Sequence, residues 1–345
     1  MDDIPDDIIE IDSEFLDKKG LCGLNNLGNT SFMNSIIQCL NNTTPLVKFI
    51  FSKNFSTHIK KKDPCYKLIN TWKDMSKNLW HKNSVFRPSG FLREVQELSL
   101  RKNNIEFTGN DQNDSQEFLQ FFLEALHDSL SREVNMNISG KPKNEFDKLA
   151  IEACKSYTNF FKKDYSVVLE IFYGQYFTQF DTFTNDKKEK SRTFDPFSML
   201  SLELIQQSSM TIYECLDNLI KSETIIDTPE KKIKKTTYFW KLPQVLIIYL
   251  KRYRNDLRKL TNKVEFPLTD LDMSPYVKGY NKDSYKYDLY AVSNHGGGMG
   301  GGHYWSYIKN HDTNWYKFDD RYVSTLAEDS ICGQEAYCLF YIKQT

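Results

Sequence analysis

From residue 32 onward, apolar positions fall at Phe32, Met33, Ile36, Ile37 and Leu40, the one-face period of an amphipathic helix. Ser31 stands at or just before the N-terminus of that predicted helix, and Gly28 and Asn29 shape the turn into it. A second strong period runs from Ser115 to Leu130, with Phe118, Leu119, Phe122, Leu126 and Leu130 on one face. Further helices are expected near Cys65 to Lys77 and Phe146 to Phe161. After residue 165 the pattern shortens. Ser166 to Phe180, Tyr238 to Arg252, Tyr287 to Val292 and His303 to Lys309 are rich in Val, Ile, Tyr, Phe and Trp and read as strands. The charged insertions Asn185 to Arg192 and Pro229 to Lys235 read as exposed hairpin tips or loops. Helices first and strands later predict an α+β chain, a helical lobe packed on a sheet lobe.

Composition narrows the classes. Of 345 residues, 40% are hydrophobic, with 24 Phe and 20 Tyr, enough for a sizeable core. Lys+Arg 45 against Asp+Glu 46 leaves a net charge of −1, so no nucleic-acid partner is expected. Apolar runs such as Val245 to Leu250 are too short to span a bilayer, and no membrane association is expected. Residues 1–19 form an acidic leader, with eight carboxylates between Asp2 and Lys19, expected to be disordered and without the basic and apolar regions of a secretory signal. The folded domain is expected to span 20–345. Seven scattered cysteines fit reduced thiols in cytosol or nucleus. No pair has C-x-x-C spacing, so neither a metal nor another cofactor is expected.

The segment HGGGMGGGH, His295 to His303, holds six of the fifteen glycines and reads as a gate loop that orders on substrate binding. His303 would enter a strand directly after it, a suitable place for a general base. Asp319 follows one hairpin later and could fix the imidazole's tautomer from an adjacent strand. Position 31, at a helix N-terminus, suits a nucleophile, and the amide of Asn26, five residues earlier, could donate to an oxyanion. Each residue also has a structural reading. Ser31 could be a helix N-cap, His303 a structural histidine and Asp319-Asp320 a solvated turn. Asp114 could cap the second helix, with Glu117 completing a capping box.

Taken together, these segments resemble the ubiquitin-specific proteases. GLNNLGNTSFMNSIIQCL, Gly23 to Leu40, matches that family's nucleophile box everywhere except Ser31, where the family has cysteine. The blocks DQNDSQEFL, LPQVLIIYLKRY and VEFPLTDLDMSPY agree as well, and so do YDLYAVSNHGGGMGGGHYWSYIKN and WYKFDDRYV. The resemblance implies a papain-like fold of thumb, palm and fingers that grips ubiquitin and threads its C-terminal tail between thumb and palm. It implies His303 as base, Asp319 as its orienter, Asn26 as oxyanion donor and Asp320 as support there. It further implies that Asp114 and Glu117 meet arginines of the tail and that Gln116 meets its backbone. Ubiquitin and ubiquitinated proteins are the implied partners of an expected monomer.

Two positions depart from the family pattern. Two cysteine pairs that often hold zinc at the fingertips have no counterpart near Thr182 and Asn185 or in 224–230. At position 31 a hydroxyl, with a far higher pKa than a thiol, replaces the nucleophile, so loss of turnover is expected. Three explanations follow: a deliberate trapping substitution, a natural non-catalytic ubiquitin binder, or a working serine variant. A scaffold that binds another protein through the same cleft is a reading from a different class.

Overall fold

The computed structural model describes residues 20–81, 83–185, 187–205, 207–254, 258–298 and 301–344; the acidic leader lies outside them. Six helices form the thumb: α1 (Ser31–Asn41), α2 (Thr44–Ile50), α3 (Lys53–His58), α4 (Tyr66–His81), α5 (Ser89–Arg101) and α6 (Ser115–Leu130). Two short strands, β1 (Gly23–Leu24) and β2 (Val85–Phe86), pair in parallel beside them. Every residue of α1 is buried, because this helix is wedged between α6 and the large sheet. On α6 the predicted face is buried, and Phe118 and Phe122 carry its packing: Phe32 meets Phe118 edge-on at 5.5 Å, and Trp72 meets Phe122 at 5.1 Å.

After the thumb come α7 (Glu145–Phe161) and α8 (Val167–Phe172). The last replaces the expected beginning of a strand at Ser166. The Ser166 hydroxyl accepts from Val168 N–H and caps a helical turn whose Val168, Leu169, Ile171 and Phe172 are all buried. A short apolar run of this kind carries no period that separates strand from helix. The strand proper, β3 (Gly174–Thr184), starts where a side chain on Gly174 would lie 2.4 Å from the Phe197 ring.

The fingers are a four-stranded antiparallel sheet of order β4-β3-β8-β7, from β4 (Lys188–Phe197), β8 (Lys231–Lys241) and β7 (Glu223–Asp227). The charged insertions are strand along most of their length. Among the described residues, Thr184 N–H bonds the Lys187 carbonyl at one tip, and Thr228 and Lys231 bond each other at the other. Cross-strand neighbours of opposite charge suit these ladders: Asp181 lies in register with Lys190 on one neighbour and Lys234 on the other, and Lys188 sits 5.1 Å over the Phe183 ring. At the base of the sheet, Phe177, Phe194 and Trp240 pack under Leu149, Ala150 and Ala153 of α7.

The palm is an eight-stranded sheet. Its path runs β15-β14-β13-β12-β16-β9-β5, with β11 (Leu271–Asp272) beside β12. The members are β5 (Leu200–Glu203), β9 (Val245–Lys251), β12 (Lys286–Gly298), β13 (Gly301–Lys309), β14 (Trp315–Asp319), β15 (Tyr322–Leu326) and β16 (Ala336–Lys343). Expected as one strand, Tyr238 to Arg252 divides into β8 and β9, which belong to different sheets. Pro243, which has no N–H to give a ladder, stands in the break. The continuous apolar run of β9 reflects burial on both faces. Val245 and Ile247 join the thumb core, while Leu246, Ile248 and Leu250 join a second core. That second core includes α9 (Ile212–Ile220), whose Thr211 and Glu214 form a capping box, and the small pair β6 (Ser209–Thr211) and β10 (Lys263–Glu265). Buried Arg252 ties the two edges of this region, donating to the carbonyls of Ala336, Leu260 and Asn262.

Candidate active site

The chain leaves β1 and turns into α1 through two left-handed residues, Gly28 (φ +103°) and Asn29 (φ +54°). The Asn26 side-chain Oδ1 stitches this turn by accepting from the N–H groups of Gly28 (3.0 Å) and Thr30 (3.1 Å). The N-cap position falls to Thr30, so Ser31 is the first helical residue and not the cap. Instead, the Ser31 hydroxyl accepts from the backbone N–H of Tyr304 at 3.3 Å. This contact seats position 31, which is 5% exposed, directly against β13 beside His303.

His303 Nε2 bonds Asp319 Oδ1 at 2.6 Å, and the other carboxylate oxygen pairs with Lys317 Nζ at 2.8 Å. The antiparallel pairing of β13 with β14 brings the two residues together, as the sequence predicts. Burial alone would raise the Asp319 carboxyl, but bonds and charge from Lys317 and His303 outweigh it and hold it below the ordinary range. An ionised Asp319 accepts from His303 and leaves Nδ1 as the imidazole's unengaged nitrogen. The His303 ring stacks near Trp305, with centroids 6.2 Å apart.

Asp320 occupies a left-handed position (φ +51°) and has both oxygens engaged. Oδ2 accepts from Asn26 Nδ2 at 2.9 Å, and Oδ1 accepts from Asn34 Nδ2 at 2.8 Å. Asn26 is thus held at both ends of its amide, by the turn and by Asp320, with one N–H left to donate. Sequence reading missed Asn34. Its signal was a polar residue one turn after Ser31, in a helix buried on all sides.

Asp114 has both oxygens committed as well: Oδ1 caps α6 at Gln116 N–H (2.7 Å) and Oδ2 accepts from Tyr337 hydroxyl (2.5 Å). Burial raises its pKa. The capping reading of Asp114 therefore holds. Glu117 lies instead beside Glu106, and burial followed by repulsion from Glu106 and Asp114 raises its pKa. Gln116 follows on the first turn of α6. Sequence reading missed Glu106 in this group.

Residues 299 and 300 of the glycine segment lie outside the described residues, and on either side of them the chain is strand. Gly296, Gly297 and Gly298 pair with His303, Gly302 and Gly301, so β12 and β13 continue as a ladder almost to the tip. Small residues are needed there because a side chain on Gly302 would lie 2.2 Å from His295 Nε2. Two side chains hold the hairpin. Gln112 accepts from Gly302 N–H at 2.8 Å, and Lys259 donates to the carbonyls of His295 (2.6 Å) and Gly297 (3.0 Å). Among the described residues, one cluster of possible metal ligands occurs, His303, Asp319 and Asp320, and its groups already bond one another or Asn26 and Asn34. No helix among the described residues is long and apolar enough to cross a membrane.

The family pattern of ubiquitin carboxyl-terminal hydrolases matches residues 22–341. Ubiquitin carboxyl-terminal hydrolase Usp2 of Drosophila melanogaster is 33% identical over 343 residues, covering 94% of this chain and 35% of the relative. Human ubiquitin carboxyl-terminal hydrolase 2 is 32% identical over 345 residues, covering 94% and 55%. The chain therefore spans between about a third and about half the length of these relatives. Among solved structures, a chain of the SAGA DUB module of Ubp8, Sgf11, Sus1 and Sgf73 bound to monoubiquitin superposes with a TM-score of 0.73 at 26% identity, covering 95% of this chain and 70% of that one. The same module bound to ubiquitin aldehyde gives 0.71, also at 26%, covering 96% and 71%. With thumb, palm and fingers in the order its sequence blocks predict, the chain belongs to the ubiquitin carboxyl-terminal hydrolase family, in its ubiquitin-specific protease branch.

Proposed function

We propose that residues 20–345 form a ubiquitin-binding deubiquitinase domain whose site is assembled but does not turn over while serine stands at position 31. The observation that carries this reading is the single hydrogen bond of Ser31. Its hydroxyl accepts from Tyr304 N–H and, among the described residues, makes no hydrogen bond to His303 that would draw its proton away. A serine nucleophile needs a base hydrogen-bonded to it. A thiol needs less, because a helix N-terminus and a neighbouring imidazole suffice to favour the thiolate.

With cysteine at position 31, the reaction would run as acyl transfer. The thiolate would attack the carbonyl carbon of ubiquitin's C-terminal glycine. The free N–H of Asn26, fixed by Asp320, would donate to the resulting oxyanion, and His303 would protonate the departing amine. Water, deprotonated by His303, would then release ubiquitin. Glu117, with Glu106 beside it, is the carboxylate proposed to meet the tail's arginines, and burial followed by the charges of Glu106 and Asp114 raises the Glu117 pKa until a cation arrives. Asp114 would act mainly by fixing the start of α6. The proposed partners are ubiquitin and its conjugates, and the proposed setting is cytosol or nucleus.

Titration calorimetry of the unaltered chain with free ubiquitin tests this reading. Saturable one-to-one binding, weakened by Glu117→Ala, is expected. Absence of binding would favour a scaffold for another protein.

A further inference from the structure

The sheet order sorts the site into two sides. Asp114 leans on Tyr337 of β16, Ser31 touches Tyr304 of β13, Asp319 ends β14, and Tyr322 begins β15. Because the path runs β15-β14-β13-β12-β16, position 31 lies between Asp114 on one side and the β14–β15 turn on the other. If the tail enters along α6, as proposed above, the chain joined to ubiquitin must leave across that turn.

A cavity of about 620 Å³ opens there, lined by Asn26, Leu27, Arg87, Asp320, Arg321 and Tyr322 among others. Its wall also includes Asp319, which pairs with Lys317 and His303, and Asp320, which keeps its charge because its oxygens accept only from the neutral amides of Asn26 and Asn34. Against that one carboxylate stand two guanidinium groups, neither of them ion-paired among the described residues. Arg321 stacks on the Tyr322 ring at 4.7 Å and bonds the Tyr322 hydroxyl, which orients it without balancing its charge. Arg87 is exposed and makes no hydrogen bond or ion pair among the described residues. The turn itself is rigidly seated, since a side chain on Gly23 would lie 2.4 Å from the Arg321 carbonyl oxygen.

We infer that this cavity is the leaving-group subsite and that Arg87 and Arg321 select conjugates carrying Asp or Glu next to the ubiquitin-bearing lysine. Planar guanidinium groups match carboxylates by two parallel N–H donors, and a carboxylate here would give each group the ion-pair partner that it lacks among the described residues. The subsite rests on the proposed function, and it concerns only the conjugated chain and not ubiquitin.

The unaltered chain allows a binding test without turnover. Fluorescence anisotropy would compare ubiquitin isopeptide-linked to a labelled peptide with two glutamates beside the lysine against the same conjugate with alanines. The acidic conjugate should bind on the order of 3- to 10-fold tighter at low salt, with the preference shrinking as salt rises. Arg87→Ala with Arg321→Ala should bring the acidic-to-neutral ratio to about one. Arg87→Glu with Arg321→Glu should reverse it in favour of a lysine-flanked peptide. Equal binding of acidic and neutral conjugates to the unaltered chain, with free ubiquitin still bound, would overturn the subsite and leave the proposed function standing. A preference that survives both double substitutions would also overturn it. No binding of any conjugate or of free ubiquitin would remove both.

Discussion

At the fingertips and at position 31, residues without thiols stand where the family pattern has cysteines, and the surroundings meet the two losses in different ways. At the tips, backbone ladders run to the turns, with Asp181 in register with Lys190 and Lys234, and Trp240 and its neighbours anchor the sheet under α7. A metal there would be a structural clamp, and other contacts can supply clamping. Around position 31 the partners are in place, with His303 on Asp319 and Asn26 on Asp320, yet among the described residues the Ser31 hydroxyl bonds Tyr304 N–H and not His303. Contacts can substitute for a structural role; a chemical role needs the atom itself.

The largest effect that sharpens this contrast lies in the site. In a Ser31→Cys background, adding Asn26→Ala should lower kcat on the order of 10²–10³-fold with little change in KM, because one oxyanion donor is removed. Steady-state hydrolysis of a ubiquitin C-terminal fluorogenic amide measures it. An equal loss from a distant surface substitution would break the assignment.

Next in size, Trp240→Ala should destabilise the protein by about 3–5 kcal/mol in urea unfolding, since it empties the aromatic base of the fingers. A chelator, by contrast, should leave the melting temperature unchanged, and a fall on adding it would show that a metal does hold the tips.

A smaller effect concerns pH beneath the catalytic hairpin. Burial first, then the charges of Lys259 and His303, push the His295 pKa from 6.5 down to about 4. Between those values the unfolded chain binds more protons than the folded one. Stability contributed by neutral His295 is therefore full above pH 6.5 and is lost as pH falls toward 4. The loss amounts to roughly 2–3 kcal/mol. Urea titrations at neutral and acidic pH should show this slope flattened in His295→Gln, and an unchanged slope would assign the acid sensitivity elsewhere.

Much of this was legible in the sequence because the signals were local. The bounds of α6 follow from a clean helical period and its Asp114 cap, and the start of α1 from Gly28 and Asn29 before an apolar period. Pairing of His303 with Asp319 needed only one hairpin. What escaped was non-local or ambiguous in period. The run after Ser166 suits either element, and its cap decided for a helix. Asn34 meets Asp320 across 286 positions, Gln112 meets Gly302 across 190, and Lys259 meets His295 across a segment with no pattern of its own. The glycine run suggested a loose gate because glycine costs order, whereas here it lets two strands and His295 approach closely.

One assay bears most directly on the claim that a single atom separates this site from turnover. Hydrolysis of ubiquitin-amidomethylcoumarin should be near background for the unaltered chain and rise by at least on the order of 10³-fold in Ser31→Cys, in line with what loss of a nucleophile costs in triad hydrolases. A Ser31→Cys protein that binds ubiquitin as tightly as the unaltered chain yet hydrolyses no faster would contradict the account.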